Sequence, residues 1–156
     1  MGCYLGLDTS NYTTSAALYD AVSGCIRQEK MLLAVKNGAL GLRQSDAVFS
    51  HVKQLGGIIQ KLMEGKGAPL CGVGVSVRPR DVDGSYMPCF LVGQMAAQAV
   101  SAAMALPLSS FSHQSGHIAA ALFSSGKLDL NGQKFVAFHL SGGTTEYLLV
   151  QPDAEH

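Results

Sequence analysis

The chain has 156 residues, of which 47% are hydrophobic and only 14% charged, enough for one well-buried domain. Lys plus Arg equals Asp plus Glu at 11 each, which excludes the basic stripe of a protein that grips a phosphate backbone unaided; only Arg78-Pro79-Arg80 comes near one. Apolar runs stay short of the roughly 18 residues of a membrane span, and Met1 to Leu7 lacks the basic and apolar regions of a secretory signal.

A cytoplasmic protein with no membrane partner is therefore expected, and its separated cysteines, Cys3, Cys25, Cys71 and Cys89, read as reduced and buried. In chain order, Cys3 to Asp8 and Thr14 to Tyr19 read as strands joined by the polar turn Thr9-Ser10-Asn11-Tyr12-Thr13. Cys25 to Ala34 alternates enough for a third strand, and Lys36 to Gln44 reads as a loop. Ser45 or Asp46 offers an N-cap for an amphipathic helix with apolar positions Val48, Val52, Leu55, Ile58, Ile59 and Leu62, stopped by Gly65 and Gly67. Cys71 to Val77 is almost continuously apolar, the mark of a strand covered on both faces, and Pro79 ends it. After a loop from Asp81 to Pro88, the Ala- and Met-rich run Phe90 to Leu106 favours helix. Leu108 to Phe111 is a short strand, Ser112 caps a helix from His113 to Phe123, and Gly126 closes it. Lys134 to Leu140 and Glu146 to Val150 form a second hairpin around Ser141-Gly142-Gly143-Thr144-Thr145.

The resulting order, β-β-β-α-β-α-β-α and then β-β, is that of an α/β actin-like ATPase (ribonuclease H-like) domain over residues 1–132, followed over 133–156 by the opening hairpin of a second such domain. Both hairpin turns carry groups that can face an anion, which makes Thr9, Ser10, Ser141, Gly142, Gly143 and Thr144 the candidate nucleotide-phosphate contacts. One Ser/Thr/Gly-rich turn also arises for conformational reasons alone; two at matching places carry more weight. His113-Gln114-Ser115-Gly116-His117 puts two imidazoles four residues apart on one helix face. They can address one metal ion, or one can cap the helix while the other is solvated.

The segment from Ser109 to Phe123, with His113-Gln114-Ser115-Gly116-His117 at its centre, is similar to the H-x-E-G-H region of TsaD/Gcp proteins, the threonylcarbamoyl-transferases that modify tRNA. Asp83-Gly84 through Pro88 and Leu91-Val92-Gly93 resemble that family's Gly-rich loop and L-V-G helix start. Ser141-Gly142-Gly143-Thr144-Thr145 resembles its S-G-G-x-T loop, and Leu5-Gly6-Leu7-Asp8-Thr9-Ser10 its G-I-E-T-S strand. Four matches in order span nearly the whole chain, which is identified by them as the N-terminal half of a divergent member. The resemblance implies one divalent metal ion, iron or zinc, on His113 and His117, with ATP or threonylcarbamoyl-adenylate held at the two turns. It also implies transfer of the acyl group to the N6 amine of a tRNA adenosine, with tRNA engaged through the complete protein and accessory subunits. Archaeal and eukaryotic members have a tyrosine ligand at the position of His139. Strand alternation puts His139 on the face of Ser141, so a third imidazole ligand is expected there, against the alternative of a strand histidine packed in the fold.

Three departures stand out. Asn11-Tyr12-Thr13-Thr14 lacks the family's adjacent acidic residues, Ser115 replaces the H-x-E-G-H glutamate, and residue 156 precedes the second domain that supplies an aspartate ligand and the nucleoside wall. The chain alone is thus expected to fold yet be inert, to lack its C-terminal domain partner and to form a homodimer through the surface near residues 141–145. A noncatalytic nucleotide- or metal-binding paralogue is the alternative. A metallopeptidase, the family's former label, is disfavoured because Gln114 stands where zinc peptidases place a glutamate beside the first histidine.

Overall fold

The computed structural model describes residues 2–35, 41–65, 67–140 and 145–152. They divide into two compact units, Met1–His113 and Gln114–His156. By compactness the last helix groups, from Gln114 on, with the second hairpin.

In the first unit, β1 (Cys3–Ser10) and β2 (Thr13–Asp20) are longer than composition suggests. The polar residues pair across the ladder, Thr9 with Thr14 and Ser10 with Thr13, so the turn shrinks to Asn11-Tyr12. With β3 (Ile26–Leu32), β4 (Leu70–Arg78) and β5 (Leu108–Ser112), they form a sheet in the order β3-β2-β1-β4-β5. β2 is antiparallel to both its neighbours, whereas β1, β4 and β5 are parallel. Parallel pairs need crossover segments, supplied by α1 (Gln44–Met63) before β4 and α2 (Phe90–Met104) before β5.

Alternation along β1 and β2 sends Cys3, Leu5, Leu7, Ala16 and Leu18 into one core with Val73, Val75, Leu55, Ile58, Leu62, Val92 and Ala97. Each large apolar side chain buried there contributes about 1.5–3 kcal/mol. The opposite face of β1 carries Gly6, Asp8 and Ser10, each only partly covered.

Several expectations are corrected. The residue before α1 is Arg43, with no side-chain cap, and Ser45 and Asp46 lie inside the first turn, where the Asp46 carboxylate complements the helix dipole. The buried stripe of α1 is Ala47, His51, Leu55, Ile58 and Leu62; it takes in His51 and leaves Val52 exposed. Only Cys3 and Cys89 are buried, because Cys25 precedes β3 in an exposed turn and Cys71 lies on a half-covered face; all four are free thiols. α2 ends at Met104, two residues early, where Ala105 takes a left-handed conformation and Leu106 N–H bonds the Ser101 carbonyl.

The second unit contains α3 (His113–Ser124) from Gln114 onward, a single 3-10 turn over Leu128–Leu130 that the sequence does not announce, and the antiparallel pair β6 (Phe135–Leu140) and β7 (Thr145–Val150). The expected phosphate-facing residues Ser141, Gly142, Gly143 and Thr144 lie outside the described residues. No helix among the described residues is long and apolar enough to cross a membrane.

Candidate metal and nucleotide site

The first hairpin turn is braced from several sides. Thr9 is fully buried, and its hydroxyl donates to the Cys89 carbonyl (2.9 Å) and accepts from the Gly93 N–H (3.1 Å), bridging the first turn of α2. Gly93 is required by this approach, since a Cβ there would lie 2.9 Å from Thr9 Oγ1. The side chain expected to face a phosphate is thus turned into the fold. Ser10 is partly exposed, with its N–H donated to Asp8 Oδ1 at 3.0 Å. Gln44 links Asn11 Oδ1 (2.7 Å) to the Cys89 N–H (3.3 Å), tying the turn to α2.

Beneath the same turn lies a buried polar cluster that sequence reading missed. Thr14 Oγ1 donates to Gln54 Oε1 at 2.6 Å, so its 2.7 Å contact with His51 Nδ1 is a bond donated by the imidazole. His51 is fully buried and its Nε2 has no hydrogen-bond partner. Burial lowers the pKa of His51, outweighing the opposing pull of the Ser10 backbone and the Asp8 charge.

β1, β4 and β5 run parallel and finish on one edge of the sheet, at Ser10, Arg78 and Ser112. That edge is where open α/β sheets place ligands. Two aspartates fix the strand-to-helix junction there. The fully buried Ser112 hydroxyl donates to Asp81 Oδ2 (2.7 Å), whose other oxygen takes Arg78 Nη2 (2.7 Å) and Nε (3.2 Å). The next residue, His113, meets Asp8 Oδ2 through Nδ1 at 2.7 Å and lies beside the Phe90 ring, with centroids 6.0 Å apart. Burial pushes the Asp8 carboxyl up, but the hydrogen bond and charge of His113, with bonds from Ser76 and the Ser10 N–H, hold it below its ordinary range.

In the second unit the rings of His117 and His139 stand 5.7 Å apart, inclined by 31°. His139 pairs across the hairpin with Glu146, whose Oε2 is 3.6 Å from His139 Nδ1, too far for a hydrogen bond. That Nδ1 is buried without a hydrogen-bond partner, while Gln114 Nε2 donates to the same Glu146 oxygen at 2.9 Å. Glu146 was legible in principle: counting outward from a four-residue loop pairs Leu140 with Thr145 and His139 with Glu146. Asp8 carried no such signal, because its partner is 105 residues away. Among the described residues no group of three or more His, Cys, Asp or Glu side chains is gathered closely enough to hold a metal ion.

The fold itself is that of the actin-like ATPases, as the element order implies. No protein-family model matches the chain, and no curated protein does. Among solved structures it is similar to YeaZ from Pseudomonas aeruginosa, at 14% identity and a TM-score of 0.58, over 100% of this chain and 70% of that one. It is equally similar to a protein described as uncharacterised with similarity to peptidase YeaZ from Pseudomonas aeruginosa, at 14% identity and a TM-score of 0.59, over 100% of this chain and 69% of that one.

Proposed function

We propose that this chain is the first part of a metal-dependent acyltransferase-like protein of the TsaD/Gcp type, acting on the N6 amine of a tRNA adenosine. The observation that carries the reading is the place of His113: it opens α3 directly at the carboxyl end of β5, on the edge where β1 and β4 also end. His113 and His117, one helical turn apart, and His139 are the residues that would hold the ion.

The donor types suit a zinc or iron ion, although among the described residues no three such side chains are gathered closely enough to hold one in this structure. Imidazoles suit both metals, His113 has the carboxylate partner that metal-bound histidines use, and His139 presents a buried nitrogen without a hydrogen-bond partner. When bound, the ion supplies an electrophile that polarises an activated carbonyl. The chain's own part is to hold the reactants: backbone groups of the Ser10–Asn11 turn would face the nucleotide phosphate, leaving the amine to attack.

A noncatalytic paralogue is the second reading, supported by the Thr9 hydroxyl and Ser10 N–H being engaged within the fold. Titrating the protein with zinc(II) and then threonylcarbamoyl-adenylate, followed by mass spectrometry of tRNA nucleosides, separates the two. Metal and adenylate binding with N6-modified adenosine in the presence of a C-terminal domain supports the transferase. Binding without modification under those conditions supports the paralogue, and absence of metal from the wild-type chain refutes the proposed site.

A further inference from the structure

We infer that Asp8 is a positioning residue for His113: its carboxylate fixes the imidazole as the Nδ1–H tautomer and so leaves Nε2 as the nitrogen that meets a ligand. The assignment of that ligand as a metal ion rests on the functional reading above; the tautomer does not.

Strand alternation sets the geometry. Leu5, Leu7 and Thr9 fill the core, so Asp8 projects from the other face of β1, which it shares with Gly6 and Ser10. The carboxylate is not free to turn, because Oδ1 accepts the Ser10 N–H at 3.0 Å and thereby aims Oδ2 at His113, 2.7 Å from Nδ1. A carboxylate can only accept, so Nδ1 must carry the proton and Nε2 must carry the lone pair in the neutral ring. Free imidazole favours the opposite tautomer, so the selection is made by the fold.

Nothing in the sequence hints at this role, since neither Asn11-Tyr12-Thr13-Thr14 nor His113-Gln114-Ser115-Gly116-His117 carries a carboxylate. Asp8 supplies one from a different strand. Asp81 acts on the neighbouring residue through the buried Ser112 hydroxyl, so consecutive residues of the β5–α3 junction are held by aspartates from two separate strand ends.

The test uses the full chain and two readouts. Side-chain ¹⁵N NMR of wild-type protein without metal, at a pH where the ring is neutral, should show His113 protonated at Nδ1 and bare at Nε2; a neutral ring protonated at Nε2 overturns the inference. Cobalt(II) titration with a competing chelator should then show affinity falling about 10–100-fold in Asp8→Asn, which keeps an acceptor but removes the charge, with partial recovery in Asp8→Glu. Equal affinity in wild type and a folded Asp8→Asn variant overturns it as well. If the wild type takes up no cobalt, the metal reading fails, and the NMR signature in wild type and Asp8→Glu alone decides the role of Asp8. Circular dichroism identifies a variant that has not folded, in which case the wild-type tautomer decides.

Discussion

Replacing Gly93 by alanine tests the closest approach in the first unit. The added Cβ would stand 2.9 Å from Thr9 Oγ1, 3.4 Å from Thr9 Cγ2 and 3.5 Å from Val75 Cγ2. Thr9 is fully buried and held by bonds to the Cys89 carbonyl and Gly93 N–H, so it cannot withdraw without loosening both. Overpacking of this kind costs about 1–3 kcal/mol. An alanine inside a helix returns roughly 1 kcal/mol relative to glycine. The net expectation is a destabilisation of about 1 kcal/mol. In a Thr9→Ala background the obstruction is gone, and Gly93→Ala should become neutral or stabilising by up to about 1 kcal/mol. The two substitutions should therefore couple by roughly 1–2 kcal/mol in a double-mutant cycle, measured by urea unfolding with unchanged m-values. Additivity within about 0.5 kcal/mol, or a Gly93→Ala single variant as stable as wild type, refutes the argument that Thr9 excludes a side chain there.

Two further outcomes follow from buried titratable groups. His51 has a folded pKa below its ordinary 6.5, so its contribution to stability is complete above pH 6.5 and is lost as pH falls from there toward the folded value, while the unfolded chain takes up the proton. Urea unfolding between pH 7.5 and 5 should show stability falling with pH at a slope of at most about 1.4 kcal/mol per pH unit from this residue alone, and a His51→Gln variant with the wild-type slope would sink the assignment. Burial pushes the Cys89 thiol up to about 11, and Cys25 is exposed. A thiol reagent at pH 8 should label Cys25 within the native state and reach Cys89 only on unfolding, as peptide mapping would show; native labelling of Cys89 at the Cys25 rate contradicts the packing at the start of α2.

Much of the fold was legible because it is written in local periodicity. The alternation of Cys3 to Leu7, the apolar run of Cys71 to Val77 and the Ala-rich segment from Phe90 each specify an element within a few residues. Their order implied the actin-like class, and the structure supplied the strand order β3-β2-β1-β4-β5. The helix-borne pair His113 and His117 was equally plain, because a spacing of four is itself a geometric statement. Polarity misled where residues paired instead of turning: Thr9, Ser10 and Thr13 lie in the ladder, not in the loop.

What the sequence by itself determined, then, is the set of elements, their order and the helix that carries the two histidines. The tertiary structure alone decided the partners. Thr9 meets Cys89 and Gly93, Thr14 meets His51, and Asp8 meets His113, across separations of 37 to 105 residues. Propensity and periodicity act between neighbours in the chain, whereas a hydrogen bond between distant residues depends on how strands cross and register, and that is fixed only when the sheet closes its core.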